Sequence, residues 1–122
     1  MTRQILIASV RRPLAARVIQ SLIDVGCRDL FIHDASRVLP GLDRSSYDYS
    51  VQLGQGFEPM IRLEAVGLPD EINRWTSAIR AAGSTGRHGD GIVCVISPAA
   101  YFHISEGATG PGPEADSRPK PR

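Results

Sequence analysis

The chain has little of what marks several large functional classes. Its formal charge is only +1 over 122 residues, so it lacks the strongly basic character that usually accompanies nucleic-acid or membrane-surface binding. No apolar run approaches the roughly 20 residues that span a bilayer. The opening MTRQILIASVRR is interrupted by arginines too soon for a signal peptide and reads as a strand, so a cytoplasmic protein is expected. The two cysteines, Cys27 and Cys94, have no metal-ligand spacing. In a reducing compartment they are expected as reduced thiols in or near the core.

The remaining composition is that of an ordinary globule, with 42% apolar and 22% charged residues. The length favours one domain, since domains commonly run about 100–150 residues. Gln4 to Val10 predicts a strand. Leu14, Val18, Leu22 and Val25 then recur at helical spacing, with Ile19 and Ile23 widening the stripe, Pro13 at its start and Gly26 at its stop. Leu30-Phe31-Ile32 centres a second strand. Arg37 to Gln55 is irregular, with Pro40-Gly41, Ser45-Ser46 and two tyrosines, as functional loops are. Met60 to Val66 alternates like a half-buried strand. Pro69-Asp70-Glu71 opens a helix with Ile72, Trp75, Ile79 and Ala82 on its buried stripe, and Ile92 to Ile96 is the fourth strand.

The order β-α-β, long loop, β-α-β is the ferredoxin-like double unit, an α+β fold with two helices on one face of an antiparallel sheet. The other face needs a cover, because Ile5 to Ala8 and Ile92 to Ile96 are apolar on both sides, and self-association is the simplest one. Residues 1–107 are read as the domain. Residues 108–122, with Pro111, Pro113, Pro119 and Pro121 among small and charged residues, have the composition of a disordered tail.

Between the second helix and the last strand stands Thr85-Gly86-Arg87-His88-Gly89-Asp90-Gly91, with three glycines and one acid in seven residues. Amide groups in such a turn form an anion nest, and glycine lets a phosphate approach without a Cβ in the way. Arg87 adds a planar fork for phosphate oxygens, and Asp90 would orient the loop or accept from a ribose or an arginine. The bland alternative is a helix-to-strand turn that needs positive φ. The spacing is neither a Walker A loop nor a dinucleotide fingerprint.

TGRHGDG followed by an apolar strand resembles the TGxxGDG segment of the PII signalling protein superfamily. The resemblance runs across residues 3–107, through LIDVG, the PDE helix start and the closing AAYFHISEG. It implies the fold just derived, assembled as a homotrimer, with nucleotides in clefts between subunits below a long T-loop, here about residues 37–56. Two departures bear on the ligand. Most members follow GDG with a lysine, where this chain has Ile92, and place two arginines near the closing strand, where it has His103 and Ser105. The glycines usual after the second strand are replaced by Ser36-Arg37-Val38. A triphosphate carries about four negative charges, and one histidine of ordinary pKa ≈ 6.5 offsets less than two arginines. ADP or AMP is therefore expected over ATP, and control by 2-oxoglutarate is not.

SSYDYSVQLG and the RLEAV strand look like the carboxysome-associated PII-like proteins, which implies bicarbonate as a co-ligand and a role in inorganic-carbon regulation through the T-loop. On that resemblance Thr85, Gly86, Arg87, Gly89, Asp90 and Gly91 form the nucleotide loop, and Ser36 and Arg37 border the cleft. Val66 and Gly67 flank the base or ribose, and His103 comes from the closing strand. Bicarbonate would draw on Arg44 and Gly89. No metal and no catalysis are expected, since Asp90 has no carboxylate partner for a hydrolytic site. The alternatives are a nitrogen-regulatory PII protein binding ATP and 2-oxoglutarate, or a slow nucleotide hydrolase. Tyr47 and Tyr49 are read as contact or packing residues, His33 as an edge residue, and His88 as ranking below Arg87. Arg11-Arg12 is read as the solvated start of a helix.

Overall fold

The computed structural model describes residues 2–39, 56–87 and 89–106. They form strands β1 (Gln4–Arg11), β2 (Phe31–Val38), β3 (Phe57–Gly67) and β4 (Gly91–Ile96), with helices α1 (Ala15–Asp24) and α2 (Pro69–Gly83). The sheet is antiparallel throughout, in the order β2-β3-β1-β4. This is the ferredoxin-like α+β arrangement expected from the alternation of strand and helix patterns.

Local chemistry explains the elements. The helix expected from Pro13 begins as a 3-10 turn over Arg12–Leu14, and the α-helix proper starts at Ala15. Proline fixes φ for a first turn and brings no N–H to the helical ladder. At the other end of α1, Cys27 N donates to Leu22 O at 2.9 Å and Gly26 N to Ile23 O at 3.0 Å. Together the two bonds close the helix in a Schellman motif. At the start of α2, Leu68 N donates to the Glu71 carboxylate at 2.8 Å. Pro69, Asp70 and Glu71 fill the first turn, where acids suit the positive end of the helix dipole.

Strand parity divides the residues between two faces. Leu6, Ala8 and Val10 of β1, with Ile61, Leu63 and Ala65 of β3, lie beneath the helices and meet Val18, Leu22, Ile72, Trp75 and Ile79 in one core. Leu6, Val18, Leu22 and Leu63 are wholly buried. The α2 stripe read from the sequence is therefore the buried one. Cys27 is buried beside it, and burial, with Asp29 and Glu71 adding to it, pushes its thiol up to about 11.

The opposite face carries Ile5 and Ile7 of β1 in register with Ile96 and Cys94 of β4, and Ser9 with Ile92. On its other side Arg62, Glu64 and His33 form a charged stripe, with Arg62 Nε 3.1 Å from Glu64. Ile92 remains 66% exposed, which leaves apolar surface without a cover from the chain's described residues.

The long connection proves shorter at its roots than the sequence pattern implies. Ser36, Arg37 and Val38 belong to β2, and β3 begins at Phe57, with Val38 opposite Phe57 and Arg37 opposite Glu58. A further bond from Leu39 N to Gly56 O, 2.8 Å, continues the pairing. Arg44, Tyr47 and Tyr49, with most of the T-loop, lie outside the described residues, as do His88 and the tail.

Candidate functional site

Three segments converge where β1 ends. The turn between α2 and β4 rises beside Arg11, and the roots of the long connection flank it. Gly86, Gly89 and Gly91 all have positive φ, at 81°, 86° and 149°. A Cβ on Gly91 would stand 2.1 Å from Ser9 O, so the sheet can accept β4 there only through glycine.

Asp90 organises the turn. Its Oδ2 accepts from the Thr85 amide at 2.7 Å, and its Oδ1 accepts from the Thr85 hydroxyl at 2.6 Å. Arg11 Nη2 donates to the same Oδ1 at 2.7 Å and to Thr85 Oγ1 at 2.8 Å. The Thr85 hydroxyl thus gives its one proton to Asp90 and accepts from Arg11, while Arg87 N approaches it at 3.3 Å. Hydrogen bonds from the Thr85 hydroxyl and then its amide, helped by the Arg11 charge and the Gly86 amide, hold the Asp90 carboxyl below its ordinary value against the opposing effect of desolvation. Asp90 itself fills part of the amide nest that an external anion was expected to occupy.

The structure corrects the reading of Arg11. Arg11 is 8% exposed and ion-paired to Asp90, so it is a buried part of the site rather than the solvated start of a helix. Its neighbour Arg12 is the exposed one, paired with Asp34 at 2.9 Å. Strand parity separates them: Arg11 continues the face of Ile5, Ile7 and Ser9 at the end of β1, whereas Arg12 already belongs to the 3-10 turn.

Arg37 ties the turn to the connection. Its Nη2 pairs with Glu58 across the strand ladder and donates to Gly89 O at 2.6 Å. That bond, with the charges of Arg37, Arg11 and Arg87, holds the Glu58 carboxyl below its usual value. The guanidinium lies over the place where a Gly89 Cβ would point, 3.6 Å from Nη2. Arg87 is exposed, and among the described residues its guanidinium has no partner. Among the described residues the locality therefore holds three guanidinium groups, Arg11, Arg37 and Arg87, against two carboxylates, Glu58 and Asp90.

The expected nucleotide residues do not all meet within one chain. Thr85, Gly86, Arg87, Gly89, Asp90 and Gly91 lie at the Arg11 end of the sheet, and Arg37 joins them. Ser36 neighbours Arg37 on β2, opposite Pro59. Val66 and Gly67 pair with Ile5 and Gln4 at the other end of β1, roughly 24 Å away along an eight-residue strand. Gly67 has a packing reason of its own, since a Cβ would stand 2.6 Å from the Trp75 ring. His103 also sits at the far end, 3.2 Å from the Tyr101 hydroxyl. The segment that carries it, expected as a closing strand, is irregular and then turns as a 3-10 helix over Ile104–Glu106. Among the described residues no group of three or more His, Cys, Asp or Glu is arranged to hold a metal ion, and no helix is long and apolar enough to cross a membrane.

No family model matches the chain, and no curated protein matches it. Among solved structures it is similar to Arabidopsis thaliana PII bound to citrate, with a TM-score of 0.68 and 20% sequence identity, covering 87% of this chain and 86% of that one. At that identity the likeness establishes the fold: this chain has the architecture of a PII protein.

Proposed function

We propose that the chain is a PII-like regulatory sensor that binds an adenine nucleotide, ADP or AMP in preference to ATP, together with bicarbonate, and signals through its T-loop. The observation that carries this reading is Arg37. One side chain holds both roots of the long connection, through its own strand and Glu58, and also the carbonyl of Gly89 in the glycine turn. Occupation of the turn and the posture of the connection are thereby coupled. A ligand that binds one arrangement better shifts the equilibrium by that difference in affinity.

The charge balance supports the smaller nucleotides. Among the described residues the site holds one cation more than its anions, and Arg87 is the guanidinium there without an ion pair or hydrogen bond. The single phosphate of AMP carries about two negative charges, which this surplus matches better than a triphosphate. The capacity of the fold for polyanions has a parallel in the citrate of the Arabidopsis PII structure. Bicarbonate and an inorganic-carbon role rest on the resemblance of the SSYDYSVQLG segment and the RLEAV strand, and Arg44, expected with Gly89 to hold that anion, lies outside the described residues.

The separation of Val66, Gly67 and His103 from the turn favours an assembled site, in which a second copy brings its far end to the first copy's turn. The uncovered apolar face around Ile5, Ile7, Ile92 and Ile96 supplies a surface for a homotrimer. Binding without turnover is the favoured mode. Asp90, the motif's only acid, is engaged by Arg11 and Thr85 and is too weak a base, with its lowered pKa, to activate water efficiently.

Calorimetric titration with ATP, ADP and AMP, each with and without bicarbonate, tests the reading. Bicarbonate-dependent binding of ADP or AMP, with sedimentation as a trimer, is the expected result. Tight ATP binding coupled to 2-oxoglutarate would replace it with nitrogen signalling, and metal-dependent phosphate release would replace it with hydrolysis.

A further inference from the structure

Two carboxylates stand among the guanidinium groups where β1 ends, and they differ in what they hold. Asp90 shapes the glycine turn through Thr85 and Arg11. Glu58 is bonded to Arg37 instead. It lies on β3 directly opposite Arg37. Phe57, Glu58 and Pro59 run past the last pair between β1 and β3, Arg11 with Met60. By strand parity Glu58 shares the open face with Met60 and Arg62, and its half-buried side chain, 21% exposed, enters the notch left where β1 stops.

The shape of the site does not require an acid at this position. Arg37 Nη2 already has an acceptor in Gly89 O, and a neutral glutamine would offer the guanidinium an amide oxygen in place of the carboxylate. What the carboxylate adds is negative charge. Arg37, Arg11 and Arg87 all act on it and hold its carboxyl below the usual value, so it lies within the field of each cation that an anionic ligand would use. A phosphate that engages Arg37 must displace this carboxylate or settle beside it. The repulsion it then meets grows with its own charge.

We propose that Glu58 is a charge filter, a specificity-determining carboxylate that occupies Arg37 in the free chain and disfavours anionic ligands in the order of their charge. The ligand's identity rests on the nucleotide reading above, and Glu58 is the group that sets its preference. From AMP to ATP the ligand's charge rises from about two to about four. With Glu58 ionised, the site has one guanidinium in surplus among the described residues, and with it neutralised, two.

The test is calorimetric titration of the full chain, Glu58→Gln and Glu58→Asp with AMP, ADP and ATP at one ionic strength. Inorganic phosphate, pyrophosphate and tripolyphosphate form a second series that carries no base. Glu58→Gln is expected to tighten ATP and tripolyphosphate about tenfold or more, and AMP and inorganic phosphate less than about threefold. Glu58→Asp keeps the charge and should keep the wild-type ratio of ATP to AMP affinity. Should Glu58→Gln not fold, Glu58→Ala removes the same charge and is expected to shift the ratio in the same direction. A side chain that only braced Arg37 would weaken every ligand alike when replaced by glutamine, and that result would overturn the proposal. So would a ratio left unchanged by Glu58→Gln, or moved as far by Glu58→Asp. Polyphosphates that bind with the expected charge ranking while no nucleotide binds would keep the filter and remove the nucleotide reading. Nucleotide binding with an unchanged ratio would do the reverse, and no binding of any of these anions would remove both.

Discussion

The two ends of the sheet handle positive charge in opposite ways. Where β1 ends, Arg11 and Arg37 each meet a carboxylate, and both carboxylates are held below their ordinary pKa. Where β1 begins, Arg3 has an aromatic ring and, among the described residues, no acid. The first end is the more fully paired network, in which carboxylates of the chain meet Arg11 and Arg37 and fix a turn that glycine alone can trace, although Arg11 Nε is buried without a partner among the described residues, as Arg3 Nε is. The second is unfinished in the isolated chain. A satisfied network gives geometry and coupling but leaves few open donors, so Arg87 becomes the free contact there. An unsatisfied cation gives little rigidity.

The sharpest way to break this contrast is Gly91→Ala. With its Cβ placed 2.1 Å from Ser9 O, the substitution must displace the start of β4, and a loss of roughly 3 kcal/mol or more is expected in urea denaturation. Its counterpart at the other end is Gly67→Ala, which presses on the Trp75 ring at 2.6 Å. A side chain can yield where a backbone carbonyl cannot, so the expected loss is smaller, about 1–3 kcal/mol.

A third prediction concerns pH. Asp90 and Glu58 are both more acidic in the folded state, so on acidification the unfolded chain takes up protons before they do. Their stabilisation is complete above the ordinary carboxylate range, roughly pH 4, and is lost as pH falls through the lowered native values. Thr85→Val removes the main cause of the Asp90 shift. It should raise the Asp90 pKa, as followed by carboxyl carbon resonances, and flatten the acid limb of the stability curve. A titration unchanged from wild type would show that the backbone amides and Arg11 set that carboxyl without the hydroxyl.

The smallest effect on stability belongs to Arg87→Gln, which should leave the melting temperature nearly unaltered because the side chain is exposed and, among the described residues, makes no ion pair or hydrogen bond. Its effect should appear in binding, as about a tenfold weaker nucleotide affinity for one lost charge-assisted contact. Equal affinity in the variant would remove the free guanidinium from the ligand site.

The legibility of the molecule followed the range of its interactions. The helices and the central strands came from periodicity, because Leu22, Trp75 and Ile79 report a face through spacing of three and four. The end of β2 did not: Ser36 and Arg37 read as lying after the strand, yet they pair with the alternating β3 strand and continue its ladder. Arg11 was misread for a related reason. Its role depends on Asp90, 79 residues further on, and an adjacent arginine suggested two solvated charges. Gly67 shows a different limit: a resemblance offered it a ligand role, while the packing of an indole eight positions later supplies a constraint of its own that the sequence did not announce.

One feature of β2 bears on timing as well as geometry. Among the described residues this strand is bonded on one side only, to β3, and Phe31, Ile32, His33 and Asp34 are all exposed. With little packed against either face, its backbone should open without disturbing the core, at a fraction of the cost of global unfolding. Its amides should exchange with solvent well ahead of those in β1. The strand that delivers Arg37 to the glycine turn is thus among the most readily released, and a bound ligand would slow its exchange before any other part of the sheet responded.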